Sequence, residues 1–206
     1  GLVVRVGRAL AGEVLAVQGP PGSGKTYTGA ALIRALLDDG LRVGVTALSH
    51  KVINNLLTKV ERPALQKWED QDDGRSSQIT IATTNSAVVD ALACGAANLV
   101  GGTAWLWARE DMQGLVDVLV IDEAQRCWTG PYAIAKTHAA PHPLTQSEPL
   151  HVLDTMARHT GAAVVVCLLG GGQEIHAGEG GLASWGDALA ARPAWHALAP
   201  PDTLDH

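Results

Sequence analysis

No apolar stretch in these 206 residues approaches the roughly 18 needed to cross a membrane. Nor does the start show a basic-then-apolar segment of the secretory type. A membrane partner is therefore not expected. Cysteine is scarce: Cys94, Cys127 and Cys167 are scattered and lack zinc-type spacing. Reduced, partly buried thiols in a cytoplasmic protein are the expectation. A basic excess is also missing, since the formal net charge is -6. Dedicated nucleic-acid-binding domains draw most of their affinity from cation–phosphate contacts, so this balance argues against a domain of that simple kind. It still allows a motor that grips a strand in a cleft between two domains. The histidines show no metal spacing either. His138 and His142 lie four apart, but Pro141 and Pro143 break a shared helical face, and a solvated loop is expected there.

Apolar residues make up 47% of the chain, enough for one well-packed core. The expectation is a single domain over residues 1–206. Gly1 at the start and Asp202–His206 at the end read as the limits of a piece cut from a longer protein. Short β-branched runs alternate with helix-compatible segments and no internal repeat is evident. That pattern predicts an α/β fold with a mainly parallel sheet. Expected strands are Val14–Gln18, Arg42–Thr46, Gln78–Ala82, Val116–Ile121 and Ala162–Leu169. Expected helices run from Gly24 to about Asp39, His50 to about Val60 and Pro149 to about His159. Glu61–Ser77, rich in charge, reads as an exposed insertion. Gly130–Ser147, with its prolines, reads as a loop.

The chemistry concentrates in two places. Gly19-Pro20-Pro21-Gly22-Ser23-Gly24-Lys25-Thr26 matches G-x-x-x-x-G-K-[ST] in full. Glycines let the backbone wrap around phosphates with its N–H groups turned inward. The following helix adds its positive N-terminal end. Lys25 is expected at the β- and γ-phosphates, and the Thr26 hydroxyl at Mg²⁺. With Tyr27 beside it, this run is the expected ATP site. The second place is Leu119-Val120-Ile121-Asp122-Glu123, an apolar strand that delivers two carboxylates at its end. Asp122 is expected to hold Mg²⁺, and Glu123 to polarise the attacking water. The competing reading, a strand that simply ends in solvated acids, weakens once a full phosphate loop lies upstream.

Gly19–Thr26 with Tyr27-Thr28, then Val43–Leu57, then Asp122-Glu123-Ala124-Gln125 resemble motifs I, Ia and II of superfamily 1 helicases. The likeness is to the helicase part of bacterial nuclease–helicase fusion proteins, and Gly101–Trp107 fits that group too. From about Ile121 onward, Asp122–Trp128, Ser147-Glu148-Pro149 and Gly170–Trp185 look more like the Schlafen group 3-like DNA/RNA helicase domain. The change fits either a branch between these groups or a recombined sequence.

The resemblance implies that Gln125 and Gln173 sit near the γ-phosphate and couple it to a neighbouring domain. It implies that Thr46, Ser49, His50 and Lys51 contact the backbone of single-stranded DNA or RNA. It also implies a P-loop NTPase (RecA-like) three-layer α/β sandwich, and a second RecA-like domain that completes the ATPase site with arginines. For Ser49–Lys51 the rival reading is an ordinary helix start with Ser49 as N-cap. For Gly170–Glu174 it is a tight turn after a buried strand. Trp105 and Trp107 are candidates for base stacking or for packing under the sheet edge. Arg126 is expected to pair with Glu123 or Glu174. Two other functions remain open: a non-translocating ATP switch acting on a partner or attached nuclease, and, less well matched, a phosphotransferase.

Overall fold

Runs such as Val118–Ile121 and Val164–Gly170 are apolar on successive residues, so they need cover on both faces and cannot lie at a solvated edge. That requirement sets the architecture. The computed structural model describes residues 13–19, 23–69, 77–139, 143–159, 163–170 and 178–199. Its strands are β1 (Glu13–Gly19), β2 (Val43–Thr46), β3 (Ala64–Lys67), β4 (Ile79–Ala82), β5 (Leu99–Gly101), β6 (Val118–Ile121), β7 (Val164–Gly170) and β8 (His196–Leu198). They form one sheet in the order β4-β3-β5-β2-β6-β7-β1-β8, and every described pairing is parallel. The helices are α1 (Lys25–Asp38), α2 (His50–Val60), α3 (Asn85–Ala93), α4 (Ala104–Trp107), α5 (Gly130–Thr137), α6 (Glu148–Ala157) and α7 (Gly181–Ala190).

Side-chain alternation along the central strands divides the core in two. Val118, Val120, Val164, Val166 and Leu168 join Leu32, Ile33 and Leu36 of α1 and Ile53, Leu56 and Leu57 of α2. Leu119, Ile121, Val165, Cys167 and Leu169 face the other way, against Leu153 of α6 and Trp185 of α7. The result is the expected three-layer α/β sandwich. No helix among the described residues is long and apolar enough to cross a membrane. Cys127 and Cys167 are buried free thiols and Cys94 is exposed; burial pushes the Cys127 thiol up to about 12.

Two expectations are corrected. The supposed exposed insertion Glu61–Ser77 contains β3, which pairs with both β4 and β5. Its sequence, Ala-Leu-Gln-Lys, hides the strand because two of its buried side chains are polar. Gln66 is 0% exposed, yet its amide is satisfied: it accepts from Asn54 Nδ2 at 2.8 Å and donates to the His50 carbonyl at 2.9 Å. Lys67 pairs with Glu69 at 2.8 Å. The second correction lies in Gly130–Ser147, where Gly130–Thr137 is helical. Pro131 sits in the first helical turn, where a missing N–H costs nothing.

Gly44, at the centre of the sheet, shows how close the packing is. A Cβ there would come within 2.7 Å of the Trp107 ring and 3.0 Å of Leu119. The ring is itself pinned, because Trp107 Nε1 donates to the Gly102 carbonyl at 2.9 Å. Gly44→Ala is therefore expected to cost about 1–3 kcal/mol through overpacking. Denaturant unfolding checks this, and an unchanged midpoint would mean that the ring shifts freely.

Candidate active site

In an open parallel sheet, ligands bind where neighbouring strands send their connections over opposite faces. Here that crevice lies between β1 and β7, which pair side by side. After β1 the chain enters α1 on one face, and α7, which follows β7, packs on the other. The carboxyl end of β6 lies next along the same edge, beyond β7. Among the described residues, the start of α1 and the Asp122–Glu123 pair therefore reach one edge.

At the end of β1, Gly19 approaches the loop closely, since a Cβ would lie 2.5 Å from Ser23 Oγ. Gly24 adopts φ +79°, a left-handed conformation that suits glycine, and a Cβ there would meet nothing within 4 Å. α1 begins at Lys25, whose Nζ donates to the Gly19 carbonyl at 2.8 Å. Pro20, Pro21 and Gly22 lie outside the described residues. Across a cleft of about 320 Å³, Lys25 and Thr26 face Asp122 and Glu123.

Asp122 is 7% exposed. Burial pushes its carboxyl above the usual range, and the adjacent Glu123 adds to this. The Glu123 N–H, which donates to Asp122 Oδ1 at 3.0 Å, pulls the other way, as do Lys59 and Lys25. A desolvated carboxylate with cations nearby suits a hard divalent ion, whose charge offsets the burial. The Thr26 hydroxyl and Asp122 are the groups that would hold it.

Glu123 has φ 55°, uncommon for a residue with a side chain. Three contacts hold it: the N–H bond to Asp122, Arg126 N–H donating to the Glu123 carbonyl at 2.9 Å, and Arg126 Nη1 on Glu123 Oε2 at 3.3 Å. Arg126 Nε in turn donates to Glu179 Oε1 at 3.1 Å, and the Glu179 side chain is 7% exposed. The expected pairing with Glu123 is present; Glu174 lies outside the described residues, and Glu179 is the second partner. Trp185 Nε1 also donates to the Ala124 carbonyl at 2.9 Å, tying α7 to the same turn. Arg126→Ala is expected to lower unfolding free energy by about 1–3 kcal/mol, because it leaves the enclosed Glu179 carboxylate without this donor. A denaturant midpoint equal to wild type would contradict that.

Gln125 is buried, lines the cleft and accepts from the Gly170 N–H at 2.8 Å, so it joins the turn after β6 to the end of β7. Gln173 lies outside the described residues. Sequence reasoning missed the wall contributed by α2. Val52, Asn55 and Lys59 line the cleft, and the Lys59 ammonium lies 5.1 Å from the centre of the exposed Tyr27 ring. Their i, i+3, i+7 spacing marks one helical face, complementary to the buried Ile53, Leu56, Leu57 and Val60.

The residues expected at a nucleic-acid strand are spread. Thr46 is buried, and its carbonyl accepts from the Asp122 N–H at 3.0 Å. Ser49 and Lys51 are exposed, with Ser49 capping α2 by accepting from the Val52 N–H at 3.3 Å. His50 stacks on Trp68 with ring centres 5.5 Å apart. Burial, followed by the Lys67 charge, lowers its basicity. Trp107 packs under the sheet, whereas Trp105 is exposed.

The SWI2/SNF2 ATPase core of Sulfolobus solfataricus, solved in complex with dsDNA, is similar over 82% of this chain, with 14% sequence identity and a TM-score of 0.45. This chain spans 30% of that one. No curated protein matches the chain. The family described as Schlafen group 3, DNA/RNA helicase domain, matches residues 12–206, on both sides of Asp122 where the sequence resemblance changes. With nearly its whole length covered, the chain belongs to the Schlafen group 3 DNA/RNA helicase domain family.

Proposed function

We propose that this chain is an ATP-binding and ATP-hydrolysing motor domain of a superfamily 1-type DNA or RNA helicase. The observation that carries the proposal is the single cleft in which Gly24, Lys25 and Thr26 face Asp122 and Glu123. The amides at the start of α1 and the Lys25 ammonium suit the phosphates, while Thr26 and Asp122 suit Mg²⁺. Bound there, Mg²⁺ would neutralise charge on the phosphate oxygens.

Glu123 is the base in this reading. It accepts a proton from water as the water oxygen bonds to the γ-phosphorus, and the bond from that phosphorus to the β-γ bridging oxygen breaks. ADP carries away the electron pair, and inorganic phosphate is the second product. Gln125, already bonded to the Gly170 N–H, would relay the loss of the γ-phosphate to the end of β7. Motors of this class add an arginine from a second RecA-like domain, worth about 10³–10⁵ in rate. Slow basal turnover is the consequence for this domain alone.

Single-stranded DNA or RNA is the proposed track, with Ser49 and Lys51 available to its backbone. Steady-state ATP turnover at low salt, with and without a single strand, tests the reading. Stimulation by the strand is expected. Turnover that ignores every strand would favour instead a nucleotide switch acting on a partner or attached nuclease.

A further inference from the structure

The cleft that Lys25 lines holds a second ammonium. Lys59 stands in the last turn of α2, on the face from which Val52 and Asn55 also line the cleft. The other face of the helix packs into the core through Ile53, Leu56, Leu57 and Val60, and so turns the lysine toward the cleft. Among the described residues no ion pair engages its ammonium, in contrast to Lys67 on Glu69 and Arg126 on Glu123 and Glu179. It lies instead 5.1 Å from the centre of the exposed Tyr27 ring, a weak hold for a cation near solvent. Its charge also reaches Asp122, where with Lys25 it favours the ionised carboxylate. A half-buried cation that faces a polar cleft without a paired carboxylate is arranged for an anion from outside.

We propose that Lys59 is a catalytic cation for the γ-phosphate of ATP, supplied by this domain itself; the inference rests on the ATPase reading above. Position favours the γ-phosphate over the base or the ribose. Lys59 shares the cleft with Asp122 and Glu123, and Glu123 must reach the water that attacks the γ-phosphorus. Chemistry points the same way. As the phosphoryl group transfers, charge spreads over its three outer oxygens, and a cation fixed beside them acts most strongly at that moment. Lys59 neither gives nor takes a proton. It donates hydrogen bonds to the γ-phosphoryl oxygens while the water oxygen bonds to phosphorus, Glu123 takes the water proton and ADP leaves with the electron pair. Leaving the Tyr27 ring costs little, because a charged oxygen is the stronger partner. ADP lacks the group that Lys59 would hold.

The test compares Lys59→Ala and Lys59→Arg with wild type in single-turnover ATP hydrolysis and in equilibrium binding of ATP and of ADP. Lys59→Ala is expected to slow hydrolysis by on the order of 10- to 100-fold. It should weaken ATP binding by less than that and leave ADP binding near wild type. Lys59→Arg keeps the charge and should recover most of the rate. Both variants retain the Lys59 carbonyl that accepts from Arg34 at 2.9 Å, so α2 should stay in place. Lys59→Met, which keeps the apolar stem without the charge, gives the same answer should the alanine variant unfold. If the neutral variant hydrolyses ATP at the wild-type rate, or loses ATP and ADP affinity equally, the γ-phosphate role is wrong and the ATPase reading stands. If wild type binds no ATP, the ATPase reading fails and the role of Lys59 fails with it.

Discussion

Glu123→Gln is expected to cut ATP turnover by about 10²–10⁴-fold while leaving nucleotide binding largely intact. The substitution keeps the size of the side chain and removes its ability to take a proton. The geometry sharpens the expectation. Glu123 is held by its own N–H on Asp122 and by Arg126 on both its carbonyl and its carboxylate. A glutamine can keep the first two contacts, so the turn should persist and the loss should fall on the chemical step. Single-turnover hydrolysis alongside equilibrium binding of ATP separates the two. Unchanged hydrolysis would remove the base role from Glu123, and loss of binding with turnover would give it a structural one.

The second large effect is expected at Lys25. Its ammonium lies 2.8 Å from the Gly19 carbonyl, an acceptor inside the same loop. A bound γ-phosphate would offer the ammonium a charged acceptor, and hydrogen bonds to charged groups are worth about 1.5–3 kcal/mol. Lys25→Ala should therefore weaken ATP binding by roughly 10- to 100-fold, with turnover falling further because the same cation would face the transition state. ADP, which lacks the γ-phosphate, should be affected less than ATP. Equal losses for ATP and ADP would place Lys25 elsewhere than at the γ-phosphate.

Much of this site is legible in the sequence because its parts are local. The phosphate loop is a contiguous run between an apolar strand and a helix, and Asp122-Glu123 closes an unbroken apolar strand. Both signals survive without knowledge of the fold. What escapes is set by tertiary partners. β3 is invisible because Gln66 is buried, and only the distant Asn54 amide and His50 carbonyl make that tolerable. The second partner of Arg126 is Glu179, 53 residues away, and spacing carries no information at that range. Lys59 lies on a helical face that periodicity can draw but cannot orient, so its position in the cleft emerges only once α2 packs through its opposite face. The helix at Gly130–Thr137 was hidden by Pro131, which reads as a breaker but is acceptable in a first turn.

One cleft, built from the start of α1 and the end of β6, is proposed to hold ATP together with Mg²⁺. Calorimetric titration of the chain with ATP, in Mg²⁺ and again in excess chelator, tests it most directly, repeated with Asp122→Asn. One saturable site that tightens with Mg²⁺ is expected in wild type, and the Mg²⁺ increment is expected to be lost in the variant. Absence of saturable binding, or a Mg²⁺ increment as large in Asp122→Asn as in wild type, would contradict it.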